Sequence, residues 1–142
     1  TCPTGRILPV QGTPMDFTKF KAIGQDLFSG DEQLRMAGGY DHNFVLNKEG
    51  GMLALGAIAK SPSSGICMEM YTTQPGVQLY TGNFLNEDQV LGKNGKHHTK
   101  YQAFCLETQH FPCTPSHPDF PPVTLEPDQE YHETTVYQFK TE

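Results

Sequence analysis

The sequence predicts an all-β fold built of antiparallel sheets, a sandwich or a barrel. Three observations carry this. Fourteen glycines and eleven prolines among 142 residues, with only 18% charged, favour turns and short strands over long surface helices. Short apolar stretches alternate with the separators "NKEGG", "KSPSSG" and "QPG", which hold the Gly, Pro and Asn that turns require. Within Gly65–Thr73, Ile66, Met68 and Met70 alternate with Cys67, Glu69 and Tyr71, the period of a strand.

Taken in order, Arg6–Val10 reads as a short strand closed by Pro9 and the "QGTP" turn, and Phe17–Phe20 as a second. "GQDLFSGDEQ" is a polar loop with one helical turn. Tyr40–Leu46, Met52–Ala59, Gly65–Thr73 and Val77–Thr81 follow as strands. "LGKNGKHH" is an exposed turn, and Tyr101–Leu106 and Val136–Phe139 are the last strands. Pro112–Pro122 resembles a linker, but Phe111 and Phe120 predict that it packs onto a sheet. The length fits one domain with a core of its own, and runs of strands without long helices give stacked or closed sheets.

Composition excludes several functions. The net charge is −6 with no basic patch, which argues against nucleic acid and anionic membrane as partners. The longest apolar stretch, Met52–Ala59, is too short to cross a bilayer. Cys2, Cys67, Cys105 and Cys113 are irregularly spaced without a C-x-x-C, so they read as reduced thiols of a cytoplasmic protein. The chain starts at Thr1 without Met, which reads as a cut or processed end, or as the boundary of a chosen segment.

Three stretches carry chemistry. In "GGYDHNFVL", Asp41 and His42 sit in an apolar strand, where a buried carboxylate needs a partner. The plainer reading is an Asx turn at the strand entry. In "TTQPGVQLYTGNF", Gln74, Gln78, Tyr80 and Asn83 gather neutral hydrogen-bonding groups beside aromatic rings, as a sugar requires. An ordinary solvated strand face gives the same pattern. In "AFCLETQHFP", Glu107 ends an apolar run and precedes Thr108, Gln109 and His110. It is either salt-bridged or tuned as a general base. His110, Cys113 and His117 have near-zinc spacing, but Pro112 and Pro115 interrupt them, Pro118 follows at once, and no fourth ligand is evident. No phosphate loop accompanies Gly92–Lys93.

These stretches, in this order, resemble the aldose 1-epimerase (galactose mutarotase) family, as do the opening "TGRILPVQGTPMDF" and the tail "HPDFPPVTLEPDQEYHETTVYQF". The resemblance covers nearly the whole chain. It implies that residues 1–142 are the C-terminal portion of a single large antiparallel β-sandwich, the mutarotase-like supersandwich, whose N-terminal portion is absent. It also implies an enzyme that interconverts the α and β anomers of free hexoses such as galactose and glucose, without cofactor or metal. By resemblance, Glu107 takes the proton from the C1 hydroxyl, while Asp41 and Gln78 hold sugar hydroxyls.

The family's catalytic acid comes from histidines of the N-terminal portion, and none of the six histidines here sits in a matching motif. Ile66 stands where the family usually has arginine, and Cys113 where it usually has aspartate. The implied partners are therefore a monosaccharide and the family's N-terminal half, with no nucleic acid and no membrane. Alone, the chain is expected to be inactive and to expose the apolar sides of Tyr40–Leu46 and Gly65–Thr73. The alternative is a non-catalytic carbohydrate-binding or regulatory module; a sugar-phosphate epimerase is weaker, because the basic residues are few and spread out.

Overall fold

The computed structural model describes residues 2–86 and 91–141; Thr1, with its reading as a cut end, lies outside the described residues. Among the described residues, six strands and one short α-helix follow in the order α1 (Glu32–Ala37), β1 (Asp41–Val45), β2 (Ala54–Ser61), β3 (Ile66–Thr72), β4 (Gly76–Tyr80), β5 (Cys105–Gln109) and β6 (Thr135–Thr141). They form two three-stranded sheets, ordered β1-β4-β5 and β2-β3-β6. The all-β expectation holds. The chain divides into two compact units, one of Thr1–Pro3, Asn43–Val77 and Thr108–Glu142, the other of Thr4–His42 and Gln78–Glu107.

In the first unit, β3 pairs antiparallel with β2 on one side and β6 on the other. Met70 and Thr72 are buried on one face of β3 and Cys67 on the other, so Met70 is covered rather than exposed as the sequence led us to expect. The register slips between Leu55 and Ala57. At the intervening Gly56 a Cβ would lie 2.9 Å from the Met70 methyl carbon, so a side chain there requires Met70 to shift. β6 stays open: Tyr137 and Phe139 face the Met70 and Met68 side and are 44% and 66% exposed. Phe111 and Phe120, at either end of the proline-rich stretch, are buried and meet edge to face at 5.1 Å.

In the second unit, Asp31 caps α1 by accepting hydrogen bonds from the Gln33 and Leu34 amides. Gly38, left-handed at φ 67°, ends it. Leu27, Leu34 and Tyr40 are buried, and the Tyr40 hydroxyl donates to the Pro14 carbonyl at 2.8 Å. Burial and the nearby Asp26 and Asp31 push the Tyr40 phenol up to about 12.

Several expectations need correction. Arg6–Val10 is not a strand; it runs exposed between prolines without a ladder partner among the described residues. Phe17–Phe20 is a turn, because Asp16 Oδ1 accepts from both the Thr18 amide and its hydroxyl. The second apolar strand begins at Ala54 rather than Met52. The strand expected over Tyr101–Leu106 spans Cys105–Gln109 instead, since Tyr101 adopts a left-handed φ of 64° inside a turn. Glu107 therefore lies mid-strand, not at a strand end. Cys2 and Cys113 are disulfide-bonded, so the four cysteines are not all reduced thiols. Their 111-residue separation gives no local signal of pairing. Among the described residues, no helix is long and apolar enough to cross a membrane.

Candidate functional site

β4 is the middle strand of its sheet, with β1 and β5 on either side. Pro75 and Gly76 open it, and alternation turns Val77 and Leu79 into buried positions while Gln78 and Tyr80 stay half-buried on the opposite face. Gln78 Nε2 donates to Asp41 Oδ1 at 2.7 Å. The Asp41 carboxylate thus serves a cross-strand bond rather than an Asx turn at its own strand entry.

Glu107 belongs to the same face by strand alternation. Within the first unit, Gln109 Nε2 donates to Asn43 Oδ1 at 3.4 Å. Gly76 makes room for the Asn43 amide, since a Cβ on Gly76 would lie 2.7 Å from Asn43 Oδ1. Asn43 is two residues from Asp41 and Gln109 two from Glu107, and side chains two apart in a strand share a face. Glu107 is exposed, and its carboxylate has no hydrogen-bond or ion-pair partner among the described residues. On the same face, burial and then the Glu107 charge raise the Cys105 thiol above its ordinary pKa.

The other candidates separate. Gln74 is buried and donates to the Tyr131 hydroxyl at 3.0 Å, so it braces the tail. Asn83 is 2% exposed and binds the Ala37 and Tyr40 carbonyls, so it is not a free sugar ligand. Tyr80 keeps its place two residues from Gln78; its hydroxyl accepts from the Phe84 amide and its ring stacks on Phe84 at 6.2 Å. Thr81, which sequence reasoning passed over, joins the Asn83 network; the close Gly38–Gly39 pair before Tyr40 was the available signal.

His42 follows Asp41 and so faces the other side of the strand. Its Nδ1 accepts from the Asp41 amide at 3.1 Å, and burial lowers its pKa against the opposing pull of Asp41. Among the described residues no three His, Cys, Asp or Glu side chains gather to hold a metal. Cys113 is tied to Cys2, and His117 packs against Phe120. Two clefts of about 240 and 310 Å³ open in the second unit around Leu27 and Tyr101, and neither is lined by Asp41, Gln78 or Glu107.

The family model for aldose 1-epimerase matches residues 1–138. The chain is 46% identical over 139 residues to the galactose mutarotase of Homo sapiens, covering 96% of this chain and 38% of that protein. It is 34% identical over 142 residues to the aldose 1-epimerase of Escherichia coli, with 99% of this chain and 40% of that protein covered. Among solved structures, the GalM/aldose epimerase homologue from C. elegans superposes with a TM-score of 0.84 at 30% identity, over 99% of this chain and 40% of its own. The chain thus spans 38–40% of the length of these relatives.

Proposed function

The chain belongs to the aldose 1-epimerase family, and from that premise we propose that it supplies the general base and part of the sugar pocket of a mutarotase acting on hexoses such as galactose and glucose. The observation that carries the reading is the 2.7 Å bond from Gln78 to Asp41, with the exposed Glu107 one strand away on the same face.

A carboxylate and an amide side by side offer both acceptors and donors to vicinal sugar hydroxyls, as recognition of a polyol requires. Glu107 removes the proton of the C1 hydroxyl while an acid on the opposite side of the sugar protonates the ring oxygen. The C1–O5 bond breaks and the open aldehyde forms. After rotation about C1–C2, the O5 hydroxyl attacks the aldehyde carbon and gives its proton back to the acid, while Glu107 returns its proton to the C1 oxygen, which gives the other anomer.

The acid comes from the family's N-terminal portion. His42 is turned to the other face of its strand. The relatives' greater length supports a chain that acts as the C-terminal portion of one sandwich domain, with the remainder supplied beside it. The second reading is a carbohydrate-binding module without turnover, in which Asp41 and Gln78 hold the sugar.

Polarimetry on fresh α-galactose decides between them. The chain mixed with the N-terminal portion of a relative is expected to accelerate mutarotation, and Glu107→Gln is expected to remove the acceleration. Galactose binding without acceleration in the mixture supports the module, and no binding by any form rejects both.

A further inference from the structure

We propose that Thr81 and Asn83 are positioning residues that set the Asp41 carboxylate against the Gln78 amide; this rests on the reading of Asp41 and Gln78 as sugar-binding residues. Asp41 is the first residue of β1, where the sheet ladder alone leaves the backbone free to fray. Instead, the preceding residue is held on both of its backbone polar groups. The Tyr40 amide donates to Thr81 Oγ1 at 3.0 Å, and the Tyr40 carbonyl accepts from the Thr81 amide at 3.1 Å and from Asn83 Nδ2 at 2.9 Å.

Asn83 Nδ2 uses its second hydrogen on the Ala37 carbonyl at 3.0 Å, which ties the last residue of α1 to the start of β1. Two carbonyl partners fix which end of the amide is nitrogen, because only a donor satisfies both. Asn83 Oδ1 then accepts the Thr81 hydroxyl proton at 2.6 Å. Tyr40, Thr81 and Asn83 are 0%, 3% and 2% exposed, so the network is dry and fully paired. Gly39, at φ 139°, is what lets it close: a Cβ there would lie 2.3 Å from Asn83 Oδ1.

The location gives the network a role beyond support. It lies one peptide from Asp41 and three residues from Gln78, so its bonds and the Gln78–Asp41 bond close one ring of contacts. Loosening Tyr40 turns Asp41 away from Gln78 without touching either side chain.

The test follows the Gln78 side-chain amide by NMR in the ¹⁵N-labelled chain, with the resonance assigned by its loss in Gln78→Ala. In the unaltered chain one amide proton is expected downfield and protected from exchange. Asn83→Asp keeps the size but removes both donors, and Thr81→Val keeps the shape but removes the hydroxyl. Each should return the resonance to that of a free amide and weaken galactose binding about tenfold, the equivalent of one to two hydrogen bonds. Thr81→Ser should restore both. A folded Asn83→Asp chain with an unchanged Gln78 resonance overturns the proposal. If Asn83→Asp does not fold, identical Gln78 resonances in Thr81→Val and Thr81→Ser overturn it. Failure of the unaltered chain to bind galactose rejects the functional reading alone, since the amide resonance is read without sugar.

Discussion

Gln78 Nε2 and Asp41 Oδ1 stand 2.7 Å apart on adjacent strands, a hydrogen bond that aligns a carboxylate with an amide on one sheet face. Under the proposed function, a free hexose is expected to compete for this pair directly, its hydroxyls donating to the one and accepting from the other.

Glu107→Gln keeps size and polarity but removes the proton acceptor. In the chain completed by the family's N-terminal portion, it is expected to slow mutarotation by about 10²–10⁴-fold. Near-unaltered rates in polarimetry would remove Glu107 from the chemistry.

Asp41→Asn and Gln78→Ala are expected to weaken galactose affinity more than they lower the melting temperature. Each lost hydrogen bond costs about 0.5–1.5 kcal/mol when neutral and more when a carboxylate is involved. Calorimetric titration that finds unchanged affinity beside a collapsed melting temperature makes the pair structural.

Burial holds the His42 pKa below its ordinary 6.5. The unfolded chain therefore binds this proton more readily than the folded one. The stability due to neutral His42 is complete above pH 6.5 and declines as pH falls through that value toward the folded pKa. His42→Asn preserves an acceptor for the Asp41 amide but does not titrate. Its melting temperature should fall less steeply than that of the unaltered chain on acidification; parallel curves would rule His42 out.

Thiol titration of the native, unreduced chain is expected to find Cys105 accessible and Cys67 released only on unfolding, with Cys2 and Cys113 reacting only after reduction. All four reacting without reductant would show that the disulfide does not form.

β6 has one paired neighbour and carries Tyr137 and Phe139 exposed on one side, so the chain alone is expected to self-associate. Light scattering should show oligomers, reduced by Phe139→Lys. A monodisperse monomer at high concentration would contradict this.

Much of the fold was legible because it is written in short-range patterns. The alternation in Ile66–Thr72 marked β3, the Pro-Gly step marked the entry to β4, and the three site residues lie in segments whose residue order carries the family resemblance. Local pattern failed where a single backbone torsion decided the outcome. The left-handed Tyr101 pushed β5 onward to Cys105–Gln109 and put Glu107 in its middle, and no propensity announces a positive φ at tyrosine.

The sequence by itself determined that this chain is a β protein of the aldose 1-epimerase family, and its motifs put Asp41, Gln78 and Glu107 forward as candidates. Only the tertiary structure decided which partner each polar group meets. Gln74, Gln78 and Asn83 carry the same amide, yet Gln74 donates to Tyr131, Asn83 to the Ala37 and Tyr40 carbonyls, and Gln78 to the Asp41 carboxylate. Cys2 and Cys113 likewise have the same thiol as Cys67 and Cys105, yet they meet across 111 residues. Side-chain chemistry is fixed by residue type. Its availability is fixed by partners distant in the chain, which come within reach only when folding removes them from water.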